Sequence, residues 1–351
     1  MKRMAPLFAI VALASSSWVS IAAAIQAEPE YQPYPAVQAA AKERRVEPMR
    51  VRDTTLEAPD PAAARKASTR APMGAPQQVG FARDVPGLAD GVSNVSSLQW
   101  TTLDSGARVA AFSIASPGAA ALRVALRVKA IPSGTLVRFY APGAGPVHEV
   151  SAEEIQETIG RNLRAGDLSE KALRYWSPVI EGSTAVVEIE LPRGSMPAHL
   201  DLSAPQISHL VMSPGRGFES PLTKAAPRAA SCNLDAVCYA GTWGAEGNAV
   251  ARMTFVDAGA SYYCTGTLLA DLDTTTSIPY FLSANHCIDN QPAASTLETY
   301  WFYRSAACNS SVAASSLADL VGGATLVYNS TSTDTALLRL AKSPPGGAMY
   351  A

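Results

Sequence analysis

Apolar and polar positions alternate with a period of two over much of the chain. In "ALRVALRVKA" (121–130), Leu122, Val124, Leu126 and Val128 fall on one face and Arg123 and Arg127 on the other. That spacing predicts a strand buried on one side only. "LQWTTL", "ARVAAFSI", "TLVRFYA" and "TAVVEIELP" read the same way. One stretch, "SAEEIQETIGRNLR", changes to a helical period, and Ser151 and Glu154 stand at capping-box spacing at its start. Residues 81–212 are therefore expected to form a β-rich unit, and they contain no cysteine.

The pattern is different on either side. Lys2 and Arg3 precede an apolar run from Met4 to Ile25 that ends in small residues, before Glu28 opens a polar segment. A charged start, an apolar middle and a small-residue exit predict an export signal over residues 1–27. A membrane anchor is the alternative, because the run is nearly long enough to span. No basic cluster or second spanning stretch follows it. Residues 28–80 are rich in Ala, Pro and Arg and poor in large apolar side chains, which predicts a flexible leader. A short helix around 37–46 is the competing reading. Residues 213–230 are rich in Pro and Gly and carry Arg216, Lys224 and Arg228. They read either as an ordinary linker or as an activation site cut after Lys224 or Arg228.

From 231 to 351 short strands recur: "AVARMTFV", "SYYCTGTLL", "IPYFLSA", "ETYWFYR", "GATLVY" and "DTALLRLA". Turn-forming segments separate them, and the pattern predicts one small antiparallel barrel or sandwich. The fold class is thus mostly β. All five cysteines (Cys232, Cys238, Cys264, Cys287 and Cys308) lie in this part. In an exported protein they point to disulfides, and an odd number leaves one thiol without a partner in the chain. Charged residues make up 17% of the chain and the net charge is −2, so no electrostatic feature calls for nucleic acid or an anionic membrane.

The candidate chemistry centres on His286 in "YFLSANHCID". A histidine serves a serine hydroxyl as general base when a carboxylate holds its second nitrogen. Three carboxylates follow it. Asp289 is three residues away in a polar loop, poorly placed to orient the ring, and Asp319 sits in a Ser- and Ala-rich loop. Asp334, in "STDTALLRLA", heads an apolar strand after a polar turn. Its alternative role is a turn aspartate bonding its own backbone. A zinc site is the rival reading of His286 and Cys287. The usual Cys-x-x-Cys or His-x-x-x-His spacing is missing, so neither a metal nor another cofactor is expected. His148, His199 and His209 are isolated and read as surface or core residues.

"FLSANHC" and "DTALLRL" resemble the histidine and aspartate motifs of trypsin-like (chymotrypsin-fold) serine proteases. The resemblance tightens against the bacterial lysyl endopeptidases. Their mature chain opens with a motif similar to "SCNLDAVC" at 231–238, followed by a Cys-Thr-Gly strand, the histidine segment, a Tyr-Trp strand and a further cysteine, in the order found here. The resemblance implies a β-rich pro-domain at 81–212, followed by the first six-stranded antiparallel barrel of a double-barrel protease at 231–351. It implies His286 as base, Asp334 as its orienting partner, and disulfides Cys264–Cys287 and Cys238–Cys308. It also implies a secreted, extracellular bacterial endopeptidase acting on proteins or peptides, with cleavage after Lys among the possibilities. The pro-domain would act as intramolecular chaperone and inhibitor, with no nucleic acid and, once the signal is removed, no membrane as partner.

Two departures stand out. In that branch Cys232 pairs with a cysteine late in the second barrel, and this chain has none. The family serine lies in Gly-Asp-Ser-Gly-Gly or Gly-Ser-Ser-Gly-Ser. After Asp334 the only serine is Ser343, in "KSPPGG", where two prolines follow and no glycine precedes it. The expectation is the N-terminal portion of a longer precursor, inactive by itself. The alternative is a non-catalytic, disulfide-bonded secreted binding module that keeps His286 and Asp334 by descent.

Overall fold

The computed structural model describes residues 43–46, 50–72, 74–89, 95–143, 145–214, 234–273, 275–310 and 312–351, together with a short strand at Glu30–Tyr31 that pairs with Met349–Tyr350. The expected export signal, Lys224, Arg228 and Cys232 lie outside the described residues. Among the described residues no helix is long and apolar enough to cross a membrane.

The N-terminal half is a sandwich of two sheets. One runs in the order Val51–Thr55, Arg108–Ala115, Thr184–Leu191, Leu136–Tyr140 and His148–Ser151. The other runs Arg174–Trp176, Ala121–Ala130, Asp201–Leu210 and Gly80–Asp84. Their facing side chains meet in one core, with Phe112, Phe139 and Ile189 from the first sheet against Leu122, Leu126 and Ile207 from the second. This interdigitation is what a period of two produces when two sheets stack. The helix Ala152–Arg164 starts as its sequence predicts: Ser151 Oγ accepts from the Glu154 N–H, and the Glu154 carboxylate accepts from the Ser151 N–H. Its buried residues Ala152, Ile155, Thr158 and Asn162 share one face.

Two expectations are corrected here. The leader at 28–80 is not uniformly flexible. Val51–Thr55 adds to the first sheet as a parallel edge strand, and Pro61–Ser68 is a helix capped by Asp60. Order comes from partners supplied by the sandwich. The fully buried Glu188 carboxylate accepts the backbone N–H groups of Arg45 and Val46 at 3.0–3.1 Å. Composition shows that a segment cannot form its own core, but not that another core will take it in. The second correction concerns Arg123, read as solvent-facing. It is 2% exposed.

The C-terminal half explains why. Its sheet runs Ala318–Val321, Glu298–Trp301, Val250–Asp257, Ala260–Leu269, Tyr280–Ser283, Thr335–Leu340 and Ala324–Ser330, and every pairing along it is antiparallel. The first and last strands in this order are consecutive in sequence, joined only by Gly322 and Gly323. Flat, seven strands would separate those edges by about 29 Å, whereas a link of two residues reaches only about 10 Å. The sheet is therefore rolled into a barrel, although its hydrogen-bond ladder does not close. Gly323 makes the turn possible: its φ is +75°, and a Cβ there would lie 2.3 Å from the Ser295 carbonyl oxygen. The six expected strands are all present. The seventh, Ala318–Val321, is short and half-exposed, with an aspartate in its middle, so its sequence lacks a strand's alternation. Met253, Phe255, Leu268, Phe281, Trp301 and Leu338 fill the interior.

The outer face of the Ala121–Ala130 strand packs on this barrel instead of on water. Arg123 donates from Nε to the Ser177 carbonyl and from Nη2 to the Thr296 carbonyl, both at 2.8 Å. Burial pushes its guanidinium pKa down, and the nearby Glu298 carboxylate pushes it back up. Glu298 also accepts from the Val179 N–H at 3.0 Å. Ala125 and Trp176 pack on Val256, and Lys342 pairs with Glu154 at 2.7 Å. A periodicity rule sees two faces of a strand; it cannot see that a second unit covers the polar one.

Candidate active site

Two neighbouring strands build the site. Tyr280–Ser283 pairs with Thr335–Leu340, with Ser283 opposite Ala336. Beyond Ser283 the chain turns tightly, the N–H groups of Cys287 and Ile288 both reaching the Ala284 carbonyl, and Ile288 is fully buried beneath. His286 is held on this turn. Asp334 stands immediately before the partner strand, so residues far apart in sequence meet because their strands are adjacent.

The contact has two parts. His286 Nδ1 lies 2.7 Å from Asp334 Oδ2, and the His286 backbone N–H donates to Asp334 Oδ1 at 2.9 Å. The His286 backbone N–H, followed by its ring, holds the Asp334 carboxyl below the usual carboxylate range, and the Asn285 amide adds to this. Asp334 is therefore ionised at neutral pH, which places the ring proton on Nδ1 and leaves Nε2 as an acceptor. The side chains are 31% (His286) and 52% (Asp334) exposed. A contact so open to water adds little stability, so it is about orientation. Asp334 also has φ +50°, a left-handed conformation that non-glycine residues seldom adopt and that recurs at functional sites.

The other carboxylates play no part in holding the ring. Asp289 accepts from the neighbouring Asn290 side chain, and Asp319 sits opposite Tyr300 in the barrel sheet. A feature that sequence reasoning missed fixes the loop from the side. Asn329 Nδ2 donates to Asn285 Oδ1 at 2.9 Å and to the Asp289 carbonyl at 3.3 Å. Two asparagines in different loops give no sequence signal of such a link. Ser283 Oγ donates to the Thr265 carbonyl at 2.9 Å, tying the start of the turn to the next strand.

Covalent ties complete the frame. Cys264 is joined to Cys287, 23 residues apart, and Cys238 to Cys308, 70 apart. The first tethers the residue after His286; the second anchors a peripheral loop, where Asp235 also accepts the Asn309 N–H at 2.7 Å. Cys264 Sγ, a His286 ring nitrogen and Cys287 Sγ lie within 4.8 Å of one another. Both sulfurs are spent in the disulfide, so they offer no thiolate to a metal. Among the described residues nothing hydrogen-bonds to His286 Nε2. Ser343 lines a separate cleft with Arg161 and Lys342, between the helix Ala152–Arg164 and the barrel.

Comparisons with known proteins agree with this architecture. The family domain described as the lysyl endopeptidase N-terminal domain matches residues 54–211, and the lysyl endopeptidase C-terminal domain matches residues 226–351. The first match begins within the Val51–Thr55 strand, in keeping with a leader that is part of the sandwich. A lysyl endopeptidase of Pseudomonas aeruginosa is 36% identical over 310 residues, covering 82% of this chain and 61% of that protein. The chain thus spans less than two thirds of that relative's length. No solved structure gives a significant match. Two successive family domains, in order and covering most of the chain, place it in the lysyl endopeptidase family.

Proposed function

We propose that these residues carry the general base and its orienting carboxylate for a secreted serine-type endopeptidase that cleaves after lysine. The observation that carries this reading is the double contact between Asp334 and His286. A carboxylate that served only its own turn would have no reason to take both the backbone N–H and the ring of one residue on a neighbouring strand. In the proposed reaction a serine hydroxyl attacks the peptide carbonyl and His286 Nε2 takes its proton. The imidazolium that forms is stabilised by Asp334 and returns the proton to the leaving amine. Water then hydrolyses the acyl-enzyme by the same route. The lysine preference is carried over from the relative's name, and proteins or peptides are the substrates. The N-terminal sandwich is the pro-domain, docked on the catalytic barrel, and cleavage within the segment at 213–230, after Lys224 or Arg228, is the proposed activation step.

The test is His286→Ala in the full-length protein. It is expected to be secreted and folded with both disulfides, and to lose nearly all hydrolysis of a lysyl peptide. Hydrolysis within tenfold of the unaltered protein would falsify the assignment.

A further inference from the structure

The cleft that holds Ser343 has a volume of about 820 Å³ and lies between the C-terminal end of the helix Ala152–Arg164 and the barrel. Cations enter it from both sides. Arg161 and Arg164 come from the last turn of the helix, Arg339 from the strand Thr335–Leu340, and Lys342 from just beyond that strand. Among the described residues Glu157 is the one acidic side chain in the lining.

Local pairing accounts for part of this charge and not for the rest. Arg164 pairs with Glu157 at 2.5 Å, and Lys342 with Glu154 at 2.7 Å. Arg339 is exposed, and its guanidinium has no partner among the described residues. Arg161 reaches across the junction, donating from Nη2 to the Gly322 carbonyl of the barrel at 2.9 Å. Its Nε is buried and has no hydrogen-bond partner among the described residues, which is unfavourable for a charged donor. Burial lowers the Arg161 pKa, the Glu157 charge raises it, and the Arg164 charge lowers it again.

Helix-end electrostatics explain Arg161 and Arg164, because cations are favoured in the last turn. They do not explain why the barrel sets Arg339 and Lys342 against the same space. Like charges brought together from two units repel, and more strongly where burial excludes water. A bound anion turns that repulsion into attraction. Guanidinium groups fork onto oxyanions with two parallel N–H donors, and a lysine adds a point charge. The hydroxyls of Thr325 and Ser343 stand in the same lining as further donors.

We propose that this cleft binds a compact polyvalent anion bearing phosphate or sulfate groups, and that the anion clamps the sandwich to the barrel. The site stands whether or not His286 is a catalytic base. Its volume suits a small molecule better than a lone ion. The cations form two close pairs, three residues apart on each element, which favours charge concentrated in one small ligand. A chain of carboxylates spreads its charges at about 3.3 Å per residue and leaves most of them outside.

The test is titration calorimetry at constant ionic strength on the full-length protein carrying His286→Ala, which keeps the two halves on one chain. Tripolyphosphate is expected to bind one to one, and inorganic phosphate at least tenfold more weakly. Sucrose octasulfate serves as the sulfate arm, and the tighter of the two polyvalent probes identifies the group. Arg339→Gln in the barrel and Arg164→Gln in the helix should each weaken that probe at least fivefold. Arg193→Gln, outside the lining, should stay within twofold. Both cleft variants alter exposed side chains and are expected to fold. Should either not, Arg339→Lys or Arg164→Lys, which keeps the charge and loses the fork, is expected to weaken binding about threefold. Absence of binding, or equal losses in all three glutamine variants, overturns the site. Hexaglutamate binding as tightly as tripolyphosphate overturns it in favour of an acidic peptide. Sensitivity to Arg339→Gln without sensitivity to Arg164→Gln overturns the clamp, because the anion would then belong to the barrel alone.

Discussion

The two halves of this chain are both mostly β, yet they are held in shape by different means. In the N-terminal sandwich Arg138 is buried among Glu149, Glu188 and Glu190 at 2.7–2.9 Å, and Glu188 is fully buried. Removing one partner of such a cluster leaves a buried charge, whereas keeping all of them contributes little net stability. Their use is to fix one arrangement, here the docking of the leader at Arg45 and Val46. In the barrel the contact of His286 with Asp334 is partly exposed and makes little difference to folding. The barrel instead relies on disulfides, and the sandwich contains no cysteine. Both halves bury polar groups, but the sandwich gathers its buried charges into one cluster of its own, whereas the barrel buries Glu298 against the sandwich and adds covalent ties.

The sharpest way to break this comparison is Asp334→Asn. Asparagine tolerates a left-handed φ and can serve a turn as aspartate does, so a purely structural Asp334 would be replaced with little loss. An orienting carboxylate would not, because the amide cannot stabilise the imidazolium. The expected result in the full-length protein is a fall in kcat of about 10⁴-fold with KM little changed. A loss below tenfold would return Asp334 to the turn.

The disulfides give a second, smaller contrast. In the chain-entropy model, opening Cys238–Cys308 costs about 4 kcal/mol and opening Cys264–Cys287 about 3 kcal/mol, because the longer loop loses more. Activity should rank the other way. Cys264→Ser/Cys287→Ser frees the turn that carries His286 and is expected to lower kcat at least tenfold at a temperature where both proteins remain folded. Cys238→Ser/Cys308→Ser should leave kcat within threefold. Kinetics and thermal unfolding on the same preparations check both rankings, and equal losses of kcat would mean that the bond beside His286 has no positional role.

How much of this was legible in the sequence follows the same division. The strands of both cores were visible because burial on one face imposes a period of two, as in residues 184–191. The helix start was visible because the Ser151 and Glu154 capping pair is local. Asp334 was singled out because a carboxylate at the head of an apolar strand is a local pattern, strengthened by the family motif. What could not be seen depends on distant partners. Arg123 occupies the polar phase of its strand, and only the barrel makes that phase an interior. Gln77 and Gln78 carry no alternation at all, since they form a strand by borrowing the edge of Ala260–Leu269. The link from Asn329 to Asn285 joins two loops whose proximity is set by the sheet order.

The comparison also extends to pH, where His209 and Asp334 differ in the range over which they act. His209 is fully buried and stacked on Phe81. Arg83 donates to Ser116 Oγ at 2.6 Å, Ser116 Oγ and His209 Nδ1 share a hydrogen bond at 2.7 Å, and among the described residues Nε2 has no partner. Burial, reinforced by the Arg83 charge, lowers its pKa to about 4. The unfolded chain takes up this proton near pH 6.5 and the folded one only near 4, so acid favours the unfolded state between those values. The sandwich should lose about 2 kcal/mol at pH 5 relative to neutral pH, by linkage. Asp334 has the same sign, because its folded pKa is also depressed, but a lower window. Its ionised form is favoured above the ordinary carboxylate pKa, and that preference fades only as pH falls through its depressed value. Acid therefore weakens the sandwich before it reaches the His286–Asp334 contact. Because Ser208, beside His209, hydrogen-bonds Ser261 across the interface, the weakening should reach the surface that holds the two halves together. Denaturant unfolding of the full-length protein between pH 7 and 4 should show the slope, and His209→Gln should flatten it. A slope that persists in the glutamine variant would assign the effect to another group.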